Sequence, residues 1–323
     1  MEHSPALQRY LEGFTYASGS WNSHTTTHNP TIGWWRTLPW QNNHMRGWSL
    51  LCDALPQLRL PQEIGISHSA FYRELVLCGE DYDSNKLHDA AKYINVEALR
   101  FQIVRHPYLT IPVFTTPYRH DFEWLVRALA FRSEPVAIDP GVHAQAISGL
   151  IHWGLIRSIG SNARASLILL HDSPYSTVPA HEVPGQLTHL QWLQASSALR
   201  LEHELTHLTT KQQLGEMRIN LLDELIADTM GQLFALGGFS AELFSRCLNQ
   251  RWRSYVSELN SEECEQVLLF VSRRAYELES ALIDWHGAVA RSDTRLQLLP
   301  WLCRLRLDQP IAGLAPPPQG NMP

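Results

Sequence analysis

The residues His203-Glu204-Leu205-Thr206-His207 and, seventeen positions after His207, Glu224 set the tightest condition on this chain's fold. Successive residues of an α-helix turn by about 100°, so positions i and i+4 lie about 40° apart and one turn up. On a helix, His203 and His207 therefore face the same way and can meet one metal ion. Glu204 is about 100° round from His203, near enough to reach a water on that ion without ligating it. A carboxylate from elsewhere completes a three-ligand site of the kind zinc uses to activate water. The chain has to bring two helices together with these side chains converging.

The stretch Asp223-Glu224-Leu225-Ile226-Ala227-Asp228 has the features of that second helix. Glu224 and Asp228 are themselves i and i+4. A ligand glutamate and, one turn on, an acceptor for the second N–H of a metal-bound histidine is a recurrent pairing, which suits Asp228 to orient His203 or His207. Ala227 and Gly231 allow close approach to the first helix. Asn220 reads as the N-cap with Asp223 at N3, which gives Asp223 a structural role and leaves Glu224 as ligand. Asp223 or Asp228 in place of Glu224 is the alternative within this set. Burying these acids beside Leu221, Leu222, Leu225 and Ile226 costs several kcal/mol unless their charge is compensated, and a divalent cation compensates it.

Composition narrows the partners. The 323 residues are 44% hydrophobic and 18% charged with a net charge of −6, as in a globular enzyme. No basic run offers a footprint for a phosphate backbone, so nucleic acid is not expected as a partner. No signal peptide is expected from the first residues, and no apolar run reaches the length of a membrane span. The five cysteines, Cys52, Cys78, Cys247, Cys264 and Cys303, are odd in number and scattered, which fits reduced thiols and a cytoplasmic location.

Along the chain, residues 1–160 read as an irregular Trp-rich segment followed by a mixed α/β region. Five of the eleven tryptophans, Trp21, Trp34, Trp35, Trp40 and Trp48, lie in the first fifty residues, either fixing a long loop to the core or walling a pocket. Ala70–Cys78 reads as a short helix, and Phe101–Val104 and Tyr108–Phe114 as strands kept to edge positions by Pro107 and Pro112. Asp121–Phe131 reads as an amphipathic helix capped by Asp121, with Phe122, Leu125, Val126 and Leu129 inward. Gly141–Ile159 reads as another helix. Residues 161–308 hold the clearest strand, Ala165–Leu170, and then helices at about 189–212, 219–236, 240–258, 261–284 and 290–300. Residues 309–323 read as a flexible Pro-rich tail. The class is α+β, with a small sheet upstream of the histidine helix and a mostly helical C-terminal half.

The pentapeptide His203–His207 and the spacing Glu224 to Asp228 resemble the gluzincin metallopeptidases, and most of all the thermolysin-like family. That resemblance implies a zincin-like fold, zinc bound by His203, His207 and Glu224, Glu204 as general base and proton shuttle, and Asp228 as orienter of His203. In such folds a strand beside the cleft can pair with an extended peptide, and Leu167–Leu170 is the candidate. The likeness covers about 201–231, and the family's tyrosine between the second histidine and the glutamate has no counterpart. The flanks are similar to a set of bacterial proteins of unassigned activity, through Arg132-Ser133-Glu134-Pro135, Pro174-Tyr175-Ser176 and Asn220–Asp228.

The leading expectation is a zinc-dependent hydrolase of amide bonds in a peptide or peptide-like small molecule, with Glu204 taking a proton from zinc-bound water. A developing oxyanion needs a donor. Candidates are Tyr175, His171, His181, Arg218, Arg273, Arg274, Tyr276 and His286, and Tyr175 is preferred because it lies between the strand and the histidine helix. The same His/His/Glu set can bind Fe2+ for small-molecule biosynthesis. A third reading is a non-catalytic protein with a structural zinc, closed by a fourth ligand such as His181 or Asp228. The oligomeric state has no signal in the sequence.

Overall fold

The computed structural model describes residues 4–14, 21, 29–80, 90–215, 220–249, 251–283 and 292–314. Its main elements in chain order are α1 (Pro5–Leu11), α2 (His44–Ala54), β1 (Arg100–Arg105), β2 (Thr110–Thr116), α3 (Arg119–Ala130), β3 (Ala144–Leu150), α4 (Trp153–Ile159) and β4 (Ala165–His171). There follow α5 (His189–Leu214), α6 (Leu221–Leu236), α7 (Ala241–Leu248), α8 (Ser261–Ala281) and α9 (Ser292–Leu302). The class is α+β. The chain divides into two compact units, one of residues 1–26, 106–108 and 173–323, the other of residues 27–105 and 109–172.

The second of these units holds a four-stranded sheet in the order β1-β2-β4-β3. β2 and β4 run parallel, and the two outer pairs are antiparallel. Trp35, Trp40 and Trp48 are buried in this unit's core with Phe101, Phe114 and the inward face of α3. The rings of Phe101 and Phe114 are 4.7 Å apart and those of Trp40 and Phe114 are 5.1 Å apart, so these tryptophans fix the irregular segment by packing. Phe122, Leu125, Val126 and Leu129 are all buried, as the amphipathic pattern requires.

Several expectations are corrected here. Gly141–Ile159 is not one helix: Ala144–Leu150 is β3, paired with β4, and α4 begins only at Trp153, where the His152 ring accepts the Leu155 N–H as an N-cap. The small residues Ala144, Ala146, Ser148 and Gly149 lie in an edge strand with a bulge between Ile147 and Leu150. Asp121 does not cap α3, which starts at Arg119; its carboxylate accepts the Asn95 N–H. β2 is an interior strand despite Pro112, because it meets β4 only from Val113 onward and the missing N–H falls where β2 has one neighbour. Ile168–Leu170 also has partners on both sides, Val113–Thr115 and Ala144–Ala146, so β4 has no open edge there for a peptide to join.

The other unit is helical. α5 opens on a capping box, in which Thr188 accepts the Gln191 N–H while the Gln191 side chain accepts the Thr188 N–H, and it closes on Gly215 at φ 76°. α6 opens on Asn220, whose side chain accepts the Asp223 N–H, and closes on Gly237. Every residue from Leu221 to Leu233 is buried, so α6 is the central helix of this unit. Its apolar side chains share a core with α1, α8 and α9. The region expected as one helix at 240–258 breaks after Leu248, and a 3₁₀ turn follows at Trp252–Tyr255.

Candidate metal centre

α5 and α6 bring three expected ligands together. The Nε2 atoms of His203 and His207 are 3.0 Å apart. Glu224 Oε1 lies 3.2 Å from His207 Nε2, and Oε2 lies 3.7 Å from His203 Nε2. His203, His207 and Glu224 are 5%, 9% and 6% exposed, and among the described residues they form the group able to hold a metal ion. Direction separates the three carboxylates, since Asp223 and Asp228 approach the other edges of the two rings. His203 Nδ1–H donates to Asp228 Oδ1 at 2.7 Å, and His207 Nδ1 faces Asp223 Oδ2 at 3.2 Å. Asp223 at N3 therefore does more than close a helix end: its carboxylate backs His207.

These contacts test whether the residues fit a cation. A carboxylate only accepts, so His203 Nδ1 carries the hydrogen, the charge of Asp223 favours the same on the Nδ1 edge of His207, and the two Nε2 atoms converge. Two lone pairs at 3.0 Å repel unless positive charge stands between them. Tetrahedral zinc–imidazole bonds would put two such nitrogens about 3.3 Å apart. Burial pushes the His207 imidazole down, yet the charges of Asp223 and Glu224 outweigh it and hold the ring well above its ordinary value. Burial pushes the Glu224 carboxyl up, yet His203 and His207 hold it far below the usual range. Three buried acids around two imidazoles thus demand positive charge. A proton kept on His207 is one answer, and a divalent cation on an N,N,O donor set is the other.

Glu204 is half-buried on α5, next to His203. Among the described residues no hydrogen bond or ion pair engages its carboxylate. Three threonines let this part of α5 be buried on several sides, because each hydroxyl bonds its own helix: Thr206 to the Glu202 carbonyl, Thr209 to that of Leu205 and Thr210 to that of His207. Glu202, just before His203, is buried and takes two 2.8 Å bonds from Arg295.

Tyr175 is corrected from oxyanion donor to a place behind the ligands. Its hydroxyl donates to Asp228 Oδ1 and lies 3.0 Å from His203 Nδ1, the ring edge turned away from Glu224. Burial and the Asp228 charge keep the phenol protonated, well above its ordinary range. The guanidiniums of Arg200 and Arg251 lie 5.7 and 5.6 Å from the centre of its ring. The other donor candidates do not meet here either. His181 is exposed beside Glu182, Tyr276 is exposed, and Arg274 is buried against Glu277 and the Gln309 carbonyl. Arg273 is exposed on α8. His171 belongs to the unit that holds the sheet, and Arg218 and His286 lie outside the described residues.

Two residues near Glu224 escaped the sequence. Tyr255 on the 3₁₀ turn is half-buried near Glu224, and burial with that carboxylate's charge raises its phenol. Arg251 lies 4.0 Å from Asp228 Oδ2. Both sit in a stretch whose periodicity looks helical, and neither belongs to a motif. The signal available was spacing after α7, and it pointed the wrong way.

No curated protein and no solved structure matches the chain. A family model does, over residues 5–166 and 163–312. With nearly its whole length matched, the chain belongs to DUF7005, described as a family of unknown function.

Proposed function

We propose that the chain is a metal-dependent hydrolase whose ion is held by His203, His207 and Glu224, with Glu204 as general base. The observation that carries this reading is the pair of His Nε2 atoms facing one another at 3.0 Å, with Glu224 beside them and an acid on each Nδ1 edge. An ion bound there supplies Lewis acidity, lowering the pKa of water and polarising a carbonyl. Asp228 and Asp223 keep the two rings in the tautomer that presents Nε2. Glu204 takes the proton from water at its carboxylate and returns it to the leaving nitrogen. Zinc suits the donor set, and Fe2+ is the alternative. The amide bond as target rests on the motif's likeness to gluzincin peptidases, because the strand considered for peptide pairing is interior.

Metal analysis and Glu204→Gln test this together. Protein purified without added metal is expected to carry about one zinc per chain. His203→Ala and Glu224→Ala lose it. Glu204→Gln keeps it and loses at least about 100-fold in cleavage of a synthetic peptide mixture followed by mass spectrometry. Full cleavage by Glu204→Gln, or stoichiometric iron with oxygen-dependent turnover, overturns the hydrolase.

A further inference from the structure

The segment 173–177 leads from the end of β4 towards α5 and is tied to that helix at several points. Arg200 Nη2 donates to the Ser173 carbonyl at 3.1 Å, the Ser173 hydroxyl at 3.3 Å and the Pro174 carbonyl at 3.4 Å. The Tyr175 N–H donates to Ser196 Oγ at 2.9 Å. Ser196 and Arg200 are 0% and 3% exposed, so these are interior ties. Ser176 and Thr177 follow at φ 48° and 59°. Left-handed backbone is costly for residues with a β-carbon, most of all a β-branched one, and two in a row persist only where the surroundings dictate them. What this geometry delivers is a single side chain. Tyr175 leaves α5's side and its hydroxyl reaches Asp228 on α6.

We infer that the 173–177 strap makes Tyr175 a positioning residue for the metal ligand His203. Its hydroxyl fixes Asp228 as the acceptor of the His203 Nδ1–H, and so holds the Nε2 lone pair towards Glu224 and His207. This rests on the metal-site reading above. Asp228 Oδ1 accepts from the phenol and from the imidazole at once, so a rotation that served one donor would lose the other. Without the phenol the carboxylate has one fewer reason to stay on the ring edge, and the tautomer loosens. Partners of this kind, one step behind a ligand, change metal affinity by about 10- to 100-fold when removed. The ring itself stays under Arg200 and Arg251 whether or not it carries the hydroxyl, which separates the packing role from the positioning role.

The experiment is zinc titration of the full chain against a chromophoric chelator, with Tyr175→Phe compared to wild type. The expected result is zinc bound about tenfold more weakly by Tyr175→Phe, with the melting temperature of the chelator-treated protein unchanged. Adding Tyr175→Phe to Asp228→Asn should then cost nothing further, since the phenol acts through that carboxylate. Equal affinity of Tyr175→Phe and wild type overturns the inference. So does a loss confined to melting temperature. A wild-type chain that binds neither zinc nor iron is a different result: it ends the metal-site reading, and this inference with it. If Tyr175→Phe does not fold, long-range proton–nitrogen NMR on wild-type protein labelled at histidine decides. His203 protonated at Nδ1 supports the inference, and His203 protonated at Nε2 overturns it.

Discussion

Gly231 of α6 faces the Leu199 carbonyl of α5 so closely that a β-carbon at 231 would stand 2.9 Å from that oxygen. The two helices that carry His203, His207 and Glu224 can approach this far because α6 offers only a hydrogen there. The contact lies along the same pair of helices as His203 and Glu224, and it sets the spacing over which their side chains must converge.

Gly231→Ala therefore pushes α5 and α6 apart or bends one of them. Overpacking of this kind costs about 1–3 kcal/mol. Urea unfolding should show a loss in that range, and the same variant should bind zinc more weakly than wild type. An unchanged midpoint with unchanged affinity would mean that the backbone absorbs the methyl group freely.

Zinc should stabilise the chain by mass action, by about 2.7 kcal/mol at a free concentration one hundred times its dissociation constant. Differential scanning fluorimetry should show this for wild type and not for Glu224→Ala. The ion has to displace the proton that Asp223 and Glu224 keep on His207. That ring is held above its ordinary value, so affinity should rise with pH through the neutral range and fall on acidification, with proton release measurable by calorimetry in buffers of different ionisation enthalpy.

Replacing Arg295 with Met leaves the Glu202 carboxylate buried and without its two-bond partner. Breaking a buried pair from one side costs about 3 kcal/mol or more. The double change Glu202→Gln with Arg295→Met removes the stranded charge and should recover part of the loss. An additive double variant would mean that Arg295 contributes through its packing on Phe234, where its guanidinium sits 3.5 Å from the ring centre.

His152 supplies a second pH signature, independent of any metal. Burial lowers its imidazole to about 4, and its Nδ1 accepts the Leu155 N–H, which a protonated ring cannot do. A folded value below the unfolded one places the stability at higher pH. It is fully present above about 6.5, the ordinary histidine value, and is lost as pH falls towards 4. The loss amounts to about 2 kcal/mol after allowance for solvent screening. His152→Asn keeps a capping side chain and should flatten the decline between pH 6.5 and 4, read from denaturant midpoints at each pH.

Much of the candidate site was legible because its spacing is local. His203 and His207 need only one helix, and Glu224 and Asp228 only another, so spacing predicts both faces. The role of Asp223 was missed because a residue at N3 reads as a cap until the neighbouring helix is placed. Tyr175 was placed near the ligands by its position in the chain, but only the packed structure turns its hydroxyl to Asp228 rather than to a substrate. Arg251 and Tyr255 follow a helix break that no glycine or proline marks. In the sheet, β3 failed to show because Ala144–Gly149 has a single branched residue, Ile147, among small and polar ones and no aromatic to advertise a strand. β2 and β4 were found as strands, but their interior positions depend on partners distant in sequence.

The division of the chain bears on how it can be cut. It passes between its two units at 26/27, 105/106, 108/109 and 172/173. The three residues 106–108, excised with the sheet, carry His106, which lies 3.5 Å from Glu202, and Tyr108, which is fully buried. A fragment beginning at Ser173 would retain His203, His207 and Glu224 yet lack both of these side chains. Truncation is thus a poor route to a minimal metal-binding piece. A circularly permuted or linker-joined version that keeps 106–108 in place is the smaller molecule to make.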